Sequence, residues 1–223
     1  MHITNLTIYT SKLQEQIDFY SKNLNLHSIH ASSEQAIFQV GWSTLTLVKG
    51  RQQGPYHFCF LIPENKIDDA VIWANDRLSL LNEEKSRVVH HFSLWNAHSI
   101  YFLDPDGNIL EFIARHNLQN ATDSTFDESQ IICINEIGMP VNNIAEANKM
   151  LSSTMHTKLW QGDLSRFAVH GDEEALILLP HLTQKKIWYP TATALVQAHS
   201  KVSILNEGVE YHIVYDGEIK FVN

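Results

Sequence analysis

Hydrophobic and polar positions along the first 116 residues switch repeatedly between two periods. "NLTIYT" alternates as a strand does. "SKLQEQIDFYSKNL" places Leu13, Ile17, Tyr20 and Leu24 on one helical stripe, with Ser11 positioned to cap it. Strand-like runs return at 27–31, 35–40 and 44–49. "HFCFLI" opens a second round. It is followed by a helical stripe over 65–81 through Ile67, Ala70, Val71, Ala74, Leu78 and Leu81, and then by three further strands. The order strand, helix, three strands thus occurs twice.

The second round closes on "YFLDPDGNILEF", residues 101–112. "DPDGN" has the chemistry of a turn, because Pro105 restricts φ, Gly107 accepts a positive φ, and Asp106 and Asn108 bond local backbone. Two antiparallel strands follow from this. Alternation puts Leu110, Phe112 and Ala114 on one face and Ile109, Glu111 and Ile113 on the other. A carboxylate flanked by isoleucines has to be paired, metal-bound or solvated in a cavity.

The remaining residues repeat the pattern in shortened form. "EIGMPVNNIAEANKML" matches "NLTIYTSKLQEQIDFY" in strand, turn and helical stripe (Ile144, Ala147, Leu151). "FAVHGDEEALILLP" matches "FQVGWSTLTLVKG", and "YHIVYDGEIKFV" matches "YFLDPDGNILEF". The offset falls from 131 residues (Asn5 to Glu136) to 110 (Gly107 to Gly217), which predicts a second copy shortened in its second helix and nearby loops. The expected domains are 1–116 and 131–223, joined by a polar linker at 117–130.

Composition narrows the partners. At 223 residues and 44% hydrophobic the chain can bury a sizeable core. A net charge of −9 argues against nucleic acid or an anionic membrane as a partner. No apolar run approaches the ~18 residues that span a bilayer, and "MHITNLTIYT" lacks the basic and apolar regions of a signal peptide. Cys59 and Cys133 lie in apolar runs, which predicts free buried thiols and a cytoplasmic location.

Three stretches, "NLTIYTSKLQEQIDFYSKNLNL", "HFCFLIPENKIDDAVIWANDRL" and "WNAHSIYFLDPDGNILEFIAR", resemble the vicinal oxygen chelate superfamily. That superfamily includes glyoxalase I, bleomycin and fosfomycin resistance proteins and extradiol ring-cleavage dioxygenases. The resemblance covers 1–116 well and 131–223 weakly. It implies an α+β fold of tandem βαβββ modules, forming cup-shaped mixed sheets with helices outside and one divalent metal ion (Fe, Mn, Ni or Zn) inside.

Carried over residue by residue, the resemblance places metal ligands at His57 and Glu111. Asn5 stands where the first-strand histidine is usual, and Thr46 at the fourth-strand position. In the second copy the matching positions are Glu136 and Lys220. If each copy closes its own cup, Asn5 joins His57 and Glu111. If the copies exchange halves, Glu136 joins them instead, which ligand chemistry favours. Tyr9, Cys59 and Trp95 are candidate pocket residues, while Glu136 and His98 are candidate acid–base groups.

Two functions follow from the resemblance. One is a divalent-metal enzyme, of dioxygenase or lyase/isomerase type, acting on a small oxygen-rich molecule. The other is a metal-free binder of small molecules with an aromatic cup, as in drug-sequestering proteins. Either a monomer or a homodimer suits a chain that carries its own duplication.

Overall fold

The computed structural model describes residues 1–51, 54–82 and 87–222. The first module runs β1 (His2–Thr10), α1 (Leu13–Asp18), β2 (Ser28–Ala31), β3 (Gln35–Val40) and β4 (Ser43–Lys49). The second runs β5 (His57–Ile62), α2 (Ile67–Asn75), β6 (Leu80–Leu81), β7 (His90–Phe92), β8 (Ala97–Leu103) and β9 (Ile109–Arg115). The third holds β10 (Cys133–Gly138), α3 (Ile144–Met155), β11 (Leu159–Gly162), β12 (Phe167–Asp172) and β13 (Ala175–Pro180). The last comprises β14 (Ser200–Asn206), β15 (Val209–Tyr215) and β16 (Ile219–Val222).

The halves combine crosswise into two mixed sheets. One has the order β16-β15-β14-β1-β4-β3-β2, and the other β11-β12-β13-β10-β5-β9-β8-β6, with β7 on β8. The first strands of paired modules run antiparallel: β1 against β14, and β5 against β10. Phe58, Phe60, Phe112, Ile134 and Ile137 belong to one buried core with Leu6, Ile8, Leu45 and Leu47 of the other sheet. Ser43 links the sheets at the backbone. Its hydroxyl donates to the Ile3 carbonyl at 2.6 Å and accepts the Ile134 N–H at 3.0 Å. Gly41 lets the β3–β4 turn approach β10, because a Cβ there would lie 1.8 Å from the Ile132 carbonyl oxygen.

The first helix is capped differently from expectation. Ser11 makes no cap; Thr10 Oγ1 accepts the Lys12 N–H at 2.9 Å instead, and α1 runs on into a π-helical turn, Phe19–Asn23. The second helix stops at Asn75 rather than at 81. The Arg77 guanidinium turns back over the Trp73 ring (4.7 Å) and bonds its carbonyl. Leu80 and Leu81 instead pair with Phe102 and Tyr101, where the edge of β8 offers free backbone groups.

The shortening falls in the last module, which contains no helix among its described residues. Glu207 and Gly208, both at positive φ (50° and 81°), join β14 to β15 as a hairpin. Losing the helix changes the topology, since a parallel crossover needs a long connection and a hairpin does not. β16 therefore lies at the sheet edge, three strands from β1. Lys220 is exposed there and paired with Asp216 at 2.8 Å, so it does not share a cup with Asn5.

The "DPDGN" turn is tied down through Asp104. Its carboxylate accepts the Asp106 and Asn108 N–H groups (both 3.0 Å), the Asn108 side-chain amide (2.7 Å) and the Tyr20 hydroxyl (3.1 Å). Asn108 Oδ1 in turn accepts the Tyr56 N–H at 2.8 Å, just ahead of β5. Asp104→Ala leaves these buried donors without an acceptor. It should lower stability by about 2–4 kcal/mol, read as a lower urea midpoint at unchanged m-value.

Candidate metal centre and its cavity

Strand parity builds the site. β5 and β9 run parallel with His57 beside Ile109 and Cys59 beside Glu111. On the other side of β5, Glu136 of β10 pairs with Cys59. One ligand atom from each of His57, Glu111 and Glu136 lies within 4.8 Å of the others, the one such cluster among the described residues. All three residues are buried. Of the two expected arrangements, the fold brings together the set that needs exchanged halves.

Asn5 is elsewhere. It lies on β1 in the other sheet, where its amide donates to the Thr44 and Thr46 hydroxyls (2.8 and 3.0 Å) and accepts from Thr7 (2.9 Å). These bonds use its polar atoms locally. Tyr9 is on the same strand, against His199 (ring centroids 4.9 Å), and does not line the His57 cavity. His98 also departs from expectation. It shares the face of Ile100 and Phe102, bonds His116 at 2.7 Å and stacks on His91 at 4.6 Å. Alternation along β8 turns it away from the cup, so it is no acid–base group for this site. Cys59 is fully buried in the cup floor with Ala97, Ile113 and Cys133, while Trp95 is in the cavity wall.

Sequence reasoning passed over several residues. Tyr101 pairs directly with Glu111 across the β8–β9 hairpin, and Arg115 lies on the Glu111 face two alternations on. Counting outward from the "DPDGN" turn reaches both. Lys185 and Tyr189 arrive with Trp188 on the loop between β13 and β14, and no periodic signal marks them. The cavity measures about 260 Å³, with Phe92, Trp95, Tyr101, Phe167, Trp188 and Tyr189 as aromatic walls around the three candidate ligands. Gly138 makes room for Trp188, since a Cβ would lie 2.3 Å from the indole edge.

The electrostatics favour a cation. His57 Nδ1 is 3.0 Å from the Ile109 carbonyl, which takes its N–H and leaves the Nε2 lone pair 3.7 Å from Glu111. A backbone carbonyl fixing the second nitrogen is the usual support of a metal-ligating histidine. Burial lowers the His57 pKa to about 4. Burial, then the Glu136 charge, raises Glu111 well above the carboxylate range, against the Ser99 and Tyr101 hydroxyls and Arg115. Burial also raises Glu136, against the pull of Arg115.

Arg115 is fully buried between the Trp95 and Trp160 rings, 5.5 Å from each. It donates to Glu136 and to Asn135 Oδ1 (2.9 Å). A bulge between Ile134 and Glu136 brings both partners to it. A divalent cation would favour the ionised forms of both buried carboxyls. The donor set, one neutral imidazole and two carboxylates, suits Fe(II), Mn(II), Ni(II) or Zn(II).

No family model matches the chain, and no curated protein matches it. Solved structures do. A candidate dioxygenase from Bacillus subtilis superposes over 98% of this chain and 86% of its own, at TM-score 0.61 and 14% identity. Lactoylglutathione lyase from Agrobacterium tumefaciens aligns with 49% of this chain and 90% of its own (20% identity, TM-score 0.42). A fosfomycin resistance protein from Listeria monocytogenes, solved with Mn(II), aligns with 54% and 94% (18% identity, TM-score 0.42). The chain shares the α+β fold of the Bacillus subtilis structure over nearly its whole length. No helix among the described residues is long and apolar enough to cross a membrane.

The geometry sets the His57 titration. A folded pKa depressed from 6.5 to about 4 means that the metal-free protein loses stability as pH falls through this interval, because the unfolded chain binds the proton first. Histidine ring NMR should show His57 as the Nδ1–H tautomer and still neutral at pH 5. A protonated His57 at that pH would contradict the buried placement.

Proposed function

We propose that this protein is a divalent-metal-dependent enzyme, of dioxygenase or lyase/isomerase type, acting on a small oxygen-rich molecule. The observation that carries the reading is the convergence of His57 Nε2, Glu111 and Glu136 on one aromatic-walled cavity. On this reading the chain is two copies, 1–116 and 131–223, that share the working site. His57, Glu111 and Glu136 would hold the metal, which when bound polarises substrate oxygens and stabilises developing negative charge. Burial keeps the Tyr101 hydroxyl protonated, so it remains a hydrogen-bond donor beside Glu111. Arg115 orients Glu136, and Glu136 is the candidate proton acceptor. The aromatic walls limit water and orient a flat substrate.

A second reading is a metal-free small-molecule binder. The observation favouring it is the buried Arg115–Glu136 pair, which offsets one candidate ligand without any metal.

Metal analysis by plasma mass spectrometry separates the two readings. After reconstitution with Fe(II), Mn(II), Ni(II) or Zn(II), the wild type should retain close to one equivalent. His57→Ala, Glu111→Ala and Glu136→Ala should each weaken retention by about tenfold or more. The surface histidines His91, His98 and His116 are removed in a control variant, which should keep the metal. A wild type that retains none sinks the metalloenzyme reading.

A further inference from the structure

The cavity wall carries a cation that the metal chemistry does not use. Lys185 Nζ sits 5.1 Å over the Phe167 ring and 5.6 Å over the Trp188 ring. Among the described residues its one hydrogen bond runs to the Ile187 carbonyl at 3.3 Å, and it forms no ion pair with a carboxylate. An ammonium drawn from water onto two aromatic faces keeps two donor directions for something else. The Trp188 ring beside it forms part of the cavity wall.

Size and shape supply the rest. A dry apolar cavity of about 150 Å³ takes benzene. The 260 Å³ here therefore accommodates one ring with small substituents. Arg115 is already bonded to Glu136, so Lys185 is the cationic side chain of the cavity wall left for an incoming anion.

We propose that the ligand of this cavity is a monocyclic carboxylate, whose anionic group docks on Lys185 while its ring lies among the aromatic walls. The inference rests on reading this cavity as the substrate site and names the substrate class. Lys185 is then a specificity-determining residue. Burial lowers its pKa to about 8, so the ammonium form predominates at neutral pH.

The test titrates benzoate and its neutral analogue benzamide into chelator-treated protein at pH 7, followed by tryptophan fluorescence, with wild type, Lys185→Gln and Lys185→Arg. A chelator-treated sample keeps the outcome independent of the metal. Benzoate affinity should fall by about tenfold or more in Lys185→Gln and stay within a few-fold of wild type in Lys185→Arg, while benzamide affinity is unchanged in both. Melting temperatures within about 4 °C of wild type show that each variant is folded. Benzoate binding that ignores Lys185→Gln, or a wild-type preference for benzamide, overturns the carboxylate proposal and leaves the cavity reading standing. Binding of neither ring to the wild type overturns the carboxylate proposal, while metal retention decides the cavity reading separately.

Discussion

The antiparallel pairing of β5 with β10 is the constraint on which the site depends. β5 and β9 bring only His57 and Glu111; the third ligand atom belongs to a strand more than twenty residues further on. A slip of one residue in the β5–β10 ladder would send Glu136 to the face occupied by Phe58 and Phe60, into an apolar core. Ser43 holds the ladder from outside by accepting the Ile134 N–H, and the bulge after Ile134 sets the final aim of Glu136. The linkage between the two sheets and the geometry of the site are therefore one arrangement.

Burying two carboxylates side by side requires compensation, and the cup supplies part of it. Arg115 is flat, permanently charged and weakly hydrated, which lets it sit between two indole rings and still bond Glu136 and Asn135. Of its two aromatic neighbours, Trp95 also belongs to the cavity wall. Burial, and then the neighbouring Glu136 charge, push the Glu111 carboxyl up.

The two sheets share a plan and differ in chemistry. In the β1–β14 sheet, Asn5 is consumed by three threonine hydroxyls, and the position matching Glu111 has moved to an edge strand. The cause of that move is covalent: removing a helix from the last module replaced a crossover with a hairpin and reordered the strands. With one half shortened, the three candidate ligands lie together in the other sheet.

Period and parity are local properties, and they were legible along the chain. Alternation put Leu110, Phe112 and Ala114 on one face and Glu111 on the other, the change of period marked the strand–helix order, and the falling offset between repeats marked the shortening of the second copy. The same rule already carried Tyr101, Arg115 and the outward turn of His98, since each follows from counting along β8 and β9. The α2 boundary was less legible, because a helical stripe in Leu78 and Leu81 competes with an open strand edge that exists only once β8 is in place. The choice between Asn5 and Glu136 belonged to tertiary structure, because it depends on which first strands pair, and hydrogen-bonding backbone is alike in all of them. Lys185 and Trp188 belonged there as well. They reach the cavity on a loop without periodicity, and a loop's position is decided by the surfaces it covers rather than by its own sequence pattern.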